Sequence, residues 1–186
     1  MKIIKLHTSD EALIKKALQR DAKAEKALYD RYAAKMLGAC RLYIKDLHYA
    51  EDVMIQGFTR ALDNLGKFRF EGSFEGWLRR IMVREAIDFL RGRHQLQFTD
   101  IELTEVPPVV ANEPDFDADL LQLLIDKLPE GYRTVLVMFA IEGYTHKEIS
   151  VVLDITESTS KSQLFKARRQ LQEQLALTKK FGHEKI

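Results

Sequence analysis

Apolar residues along this chain recur at intervals of three and four, and that rhythm predicts helices. Leu28, Tyr32, Met36, Ala39 and Tyr43 form one such stripe, with Asp21 placed to cap the helix that carries it. Met54, Phe58, Ala61, Leu62 and Leu65 form a second, ending at Gly66, a residue that commonly follows a helix C-terminus. An irregular segment, KFRFEGSFEG, leads into a third helix from about Phe74 to Arg91. No convincing strand alternation precedes residue 95. Further on, Pro129 suits the first turn of a helix running to about Glu142, with Gly143 closing it. Thr145 and Glu148 have the spacing of a capping box, opening a helix that buries Ile149, Val152 and Leu153. Asp154 falls where a left-handed residue would turn the chain through a two-residue hinge. A last helix starts at about Thr156, with Ser160, Leu164, Ala167 and Leu171 as its buried seam. The pattern predicts an all-α protein.

Composition divides this helical chain in two. Lys plus Arg (29) nearly cancels Asp plus Glu (28), so the distribution of charge says more than its sum. Between Arg93 and Lys127 there is no Lys or Arg, while acidic residues and Pro107, Pro108 and Pro114 accumulate. One-signed charge with a proline pair predicts an extended linker. The expected organisation is a helical domain over 1–95, an acidic linker over 96–117, a second helical domain over 118–178 and a tail over 179–186. The lone Cys40 excludes an internal disulfide. No stretch approaches the roughly 20 apolar residues of a membrane helix, and the N-terminus lacks a signal-peptide core. The expected protein is soluble and cytoplasmic, with no membrane partner.

Two constellations carry candidate chemistry. On the last helix Ser158, Thr159, Lys161, Ser162, Phe165, Lys166 and Arg169 are candidate DNA contacts, with Ser158, Ser162, Phe165, Lys166 and Arg169 expected to lie off the buried seam. A helix, a short turn and a second helix with an exposed cationic face suit the major groove: Lys and Arg meet phosphate or guanine, and Phe can press on a thymine methyl. Upstream, Arg69, Phe70, Ser73, Phe74, Trp77, Arg80, Arg84 and Arg91 mix aromatics with cations. Rings stack bases while cations meet phosphates, which suits single-stranded nucleic acid or a flipped base. The plainer alternatives are a solvated helix face and core-packed rings. Histidines without metal-ligand spacing, a Cys40 near an apolar face and the lack of a phosphate-binding glycine loop all argue against an enzyme, a metal site or a cofactor.

Four segments in order resemble the extracytoplasmic-function group of bacterial RNA polymerase sigma factors, in the sigma-70 family: AEDVMIQGFTRAL (50–62), FEGSFEGWLRRIMVREAIDFLR (70–91), LPEGYRTVL (128–136) and the helix–turn–helix stretch at 144–171. The resemblance implies a two-domain promoter-specificity factor with sigma region 2 before the linker and sigma region 4 after it. It implies core RNA polymerase docking through Asp52, Ile55, Gln56 and Phe58. Minus-ten opening and capture of a non-template base fall to the loop at 67–76 and the helix after it. Minus-thirty-five reading falls to the last helix, with Lys161, Ser162, Phe165 and Lys166 at family contact positions. Promoter DNA, duplex and single-stranded, is then a partner, and an anti-sigma factor is another that many relatives have. The chain departs from the family pattern at Ile55-Gln56, Arg84, Asp154 and Ser160. The rival readings are a stand-alone helix-turn-helix regulator that does not dock on polymerase, and a protein-binding module that sequesters a regulator.

Overall fold

The computed structural model describes residues 9–93 and 118–182. The linker expected over 96–117 and the last residues of the tail lie outside these. Every regular element among the described residues is helical. The chain divides into two compact units, Met1–Phe89 and Leu90–Ile186.

In the first unit, α1 (Asp10–Ala17) precedes α2 (Ala22–Tyr43), α3 (Leu47–Asp63), a 3₁₀ turn (Leu65–Lys67) and most of α4 (Phe74–Gly92). Asp21 caps α2 by accepting from the Lys23 and Ala24 amides at 2.8 and 3.1 Å. Asp46 does the same for α3 through the Tyr49 amide. That helix stops at Asp63 instead of running to Gly66, because Asn64 turns its side-chain amide back onto the Arg60 carbonyl and the chain tightens into the 3₁₀ turn. The apolar stripe of α2 is buried as its spacing predicts, from Leu28 through Met36 to Tyr43. Each such side chain contributes about 1.5–3 kcal/mol by leaving water. Gly57 is buried on α3 facing α4, where a Cβ would run into the sulfur of Met82. Beside it, Arg60 meets the nearly buried Glu85 of α4 at 2.6 Å.

The second unit holds α5 (Ala118–Asp126), α6 (Glu130–Ala140), α7 (His146–Leu153) and α8 (Glu157–Gly182). Thr145 and Glu148 form the expected capping box at the start of α7. Asp154 is left-handed, at φ 56 and ψ 52, so a non-glycine residue makes this turn at about 1 kcal/mol. The hinge spans residues 154–156, one more than expected, because Thr156 remains outside α8 as its cap, accepting from the Thr159 amide at 2.9 Å. α5, α6 and α7 all pack against α8. Leu124, Leu128, Val135, Met138, Ile149, Leu153, Leu164 and Ala167 form this unit's core.

Candidate nucleic-acid interface

The loop before α4 is organised by aromatic rings. Phe68 lies at its centre, with ring centroids 4.8 Å from Phe70, 5.5 Å from Phe74 and 5.6 Å from Trp77. Phe74 is the anchor: it is buried and meets Tyr32 of α2 edge-on at 5.5 Å. It is therefore a foundation of the cluster, and the expectation that it offers a stacking face is corrected. Packed on Phe68, Tyr32 and Trp77, the ring has no face left for a base. Ser73 starts α4, accepting from the Gly76 amide at 3.0 Å, so its hydroxyl oxygen serves first as a helix cap. Phe70 is 47% exposed and sits at φ 58, a conformation that bulky L-residues avoid. A strained, exposed ring beside a capped helix is a pattern found at functional loops.

Lys67, Phe68, Arg69, Ser73, Trp77 and Arg80 are among the residues around a cavity of about 260 Å³. The three cations among them are exposed, and Phe68 and Trp77 are half-buried. The cavity thus has aromatic walls and a rim where three cations outnumber the one carboxylate, Glu71, an arrangement that suits a single nucleotide. Arg84 continues the exposed face along α4, and Arg91, near the end of that helix, is exposed as well. Lys67 and Phe68, which belong to the loop at 67–76 but were not among the individually chosen site residues, line this cavity too.

On α3, Asp52, Ile55 and Gln56 are exposed, with Ile55 51% accessible. Phe58 is not on that surface. It is buried and its ring lies 4.8 Å from Tyr29, because it belongs to the stripe that faces α2. Together with Tyr29, Ile55, Thr59 and Leu62 it lines an apolar depression of about 380 Å³ rimmed by Glu25, Lys26 and Asp30. Phe58 shapes that depression from below.

On α8, Ser158, Lys161 and Arg169 are exposed, and Phe165 and Lys166 half-buried. Arg169 pairs with Glu173 at 2.9 Å, both side chains well exposed, so the pair is weak and free to exchange. Two expected contacts are corrected. Thr159 and Ser162 are buried, and the Ser162 hydroxyl donates to the Thr159 carbonyl at 2.9 Å. Three helices cover α8, so its buried arc is wider than the seam that the apolar residues mark. The Lys166 amine is also withdrawn, 5.9 Å from the centroid of the Tyr132 ring.

His146, the first residue of α7, stacks on Phe139 at 4.6 Å and shares a hydrogen bond with the buried Ser160 hydroxyl at 2.9 Å. Burial lowers its pKa, and Lys161 and Arg168 push it the same way. From the sequence the histidines are weighed only as metal ligands; a hydroxyl inside the buried seam is the sign that His146 or another group has to partner it. Cys40 is fully buried, and burial pushes its thiol up to about 12, as expected of a structural cysteine. Among the described residues no His, Cys, Asp or Glu group could hold a metal ion.

The comparison with known families matches both units. Sigma-70 region 2 covers residues 28–95 and sigma-70 region 4 covers residues 118–171. The chain belongs to the sigma-70 family. Within it, the chain is 30% identical over 184 residues to the ECF RNA polymerase sigma factor SigW of Bacillus subtilis, covering 89% of this chain and 98% of that one. It is 28% identical over 186 residues to the RNA polymerase sigma-H factor of Pseudomonas aeruginosa, covering 89% and 93%. In fold it is similar to the sigma factor RpoE of Bartonella quintana, solved in complex with the anti-sigma factor NepR (TM-score 0.53, 19% identity, 81% of this chain and 96% of that one). It is a promoter-specificity factor of the extracytoplasmic-function group, with a region 2 unit and a region 4 helix-turn-helix. No helix among the described residues is long and apolar enough to cross a membrane.

Proposed function

We propose that this sigma factor divides promoter recognition between its two units as follows. The N-terminal domain, residues 1–95, docks on core RNA polymerase through the exposed Asp52, Ile55 and Gln56 of α3 and opens the minus-ten element with the loop before α4. Phe68, Phe70 and Trp77 stack bases of the non-template strand, one of them entering the cavity between Phe68 and Trp77, while Lys67, Arg69, Arg80, Arg84 and Arg91 follow its phosphates. The C-terminal domain, residues 118–178, reads the minus-thirty-five element in the major groove with Ser158, Lys161, Phe165 and Arg169, and with Lys166 once its amine swings off Tyr132. The acidic segment 96–117 links the two. The chain performs no covalent step; the polymerase supplies the chemistry. The setting is cytoplasmic, and the anti-sigma complex of the Bartonella quintana relative supports an anti-sigma factor as a third partner.

The aromatic cavity with its cationic rim carries this reading, because a stand-alone reader of duplex DNA has no use for a stacking site. Lys161→Ala and Arg169→Ala test it. Each should lower minus-thirty-five-dependent transcription by reconstituted holoenzyme and leave polymerase binding intact. Each should also reduce the slope of log affinity against log salt by about 1 for every phosphate it no longer neutralises. Unchanged transcription in the double variant would overturn the assignment.

A further inference from the structure

Ser160 occupies the buried seam of the recognition helix, a place that suits a small apolar side chain, and it is fully inaccessible. Its hydroxyl is satisfied across the motif: the Nδ1 of His146, at the start of the preceding helix, lies 2.9 Å from it. The His146 ring is held in turn against Phe139 of α6 at an interplanar angle of 24°. The Arg168 guanidinium also lies over that Phe139 ring, 5.6 Å from its centroid. The charged groups acting on His146 all come from α8, namely Lys161 and Arg168 against a proton and Glu157 in favour of one, while α6 presents the neutral Phe139 ring.

We propose that His146 is a positioning residue for the recognition helix: bonded to Ser160 and stacked on Phe139, it fixes how α8 lies against α7, and minus-thirty-five reading weakens when the ring takes up a proton. The inference rests on α8 being the minus-thirty-five reader. The neutral ring can accept from the Ser160 hydroxyl through Nδ1. A protonated ring has only donors, so that hydroxyl loses its acceptor while a third positive charge enters the space beside Lys161 and Arg168. The two residues form one polar unit, each the other's hydrogen-bond partner. Replacing both by apolar groups is therefore gentler than removing either alone.

The test uses full-length chain assembled with core RNA polymerase and measures affinity for two promoters, one intact and one with a scrambled minus-thirty-five element. His146→Phe keeps a ring on Phe139 but strands the Ser160 hydroxyl, and should weaken binding to the intact promoter on the order of tenfold with little change on the scrambled one. His146→Phe combined with Ser160→Ala should recover to within about twofold of the parent. From about pH 7.5 down to about pH 5, a range carried well below the ordinary histidine pKa because burial and the two cations lower this one, the parent should lose affinity for the intact promoter relative to the double variant. An unimpaired single variant, a double variant as weak as the single, or parallel pH profiles would each overturn the proposal. If scrambling the element leaves the parent unaffected, the minus-thirty-five assignment fails instead. The lock is then judged by thermal unfolding of the same proteins, where only the parent should lose stability in acid relative to the double variant, and equal loss refutes it.

Discussion

Phe70→Gly separates the cost of the loop's geometry from the value of its ring. At φ 58, Phe70 holds a left-handed conformation that costs an L-residue about 1–2 kcal/mol and glycine almost nothing. Against that relief, the substitution removes the contact with Phe68 at 4.8 Å, worth about 0.5–1.5 kcal/mol. The ring is 47% exposed, so the further loss of buried area is modest. The two effects nearly cancel, and folding stability should stay within about 1 kcal/mol of the parent. DNA opening should not be spared. A stacked base is worth about 1–3 kcal/mol, which is roughly a 5- to 150-fold loss. Urea unfolding of the free chain gives the first quantity. Permanganate reactivity of minus-ten thymines in the reconstituted holoenzyme complex gives the second, with a pre-melted template as the comparison. Normal opening by Phe70→Gly, or equal loss on duplex and pre-melted templates, would refute the stacking role. A stability loss of about 3 kcal/mol or more would refute the reasoning about strain.

Phe74 and Trp77 should part company. Phe74→Ala removes a buried anchor and should cost about 3–5 kcal/mol of stability, whereas half-buried Trp77→Ala should be milder in unfolding yet impair duplex opening more than transcription from a pre-melted template. Similar unfolding losses for the two would count against the distinction. Arg60→Ala should cost about 1–3 kcal/mol at neutral pH by leaving the Glu85 carboxylate, 8% exposed, without its ion pair; the half-exposed arginine keeps this below the figure for a fully buried pair. Burial already raises the Glu85 pKa and Arg60 opposes that rise. A folded-state pKa above the unfolded one favours the fold at low pH and costs stability as pH rises through it, so the damage should shrink in acid. Urea unfolding at neutral and at mildly acidic pH measures this, and an equal loss at both would contradict it.

Much of this molecule was legible because its local signals agree with one another. The Asp21 cap, the Thr145–Glu148 capping box and the left-handed Asp154 each follow from neighbours in sequence, and each is where the pattern put it. The family, too, was readable from four short segments in order. What escaped depends on contacts between distant residues. α1 went unseen although Ser9 caps it and Leu13, Ile14 and Ala17 are buried, because eight residues give too little periodicity to stand out. Ser162 looked exposed because it falls off the apolar seam, and Thr159 was picked as a contact without a face assigned to it, yet the other helices of the unit cover more of α8 than that seam reveals. Phe58 and Phe74 were credited with partner contacts that their burial does not permit. Nothing local marks Phe70 as left-handed, and the His146–Ser160 bond joins residues on two different helices.

The most direct test of the central claim is co-elution of the purified chain with bacterial core RNA polymerase on a sizing column, at moderate salt and without DNA. The account predicts a stable complex. Failure to bind polymerase, together with tight dimeric binding to duplex DNA, would contradict it.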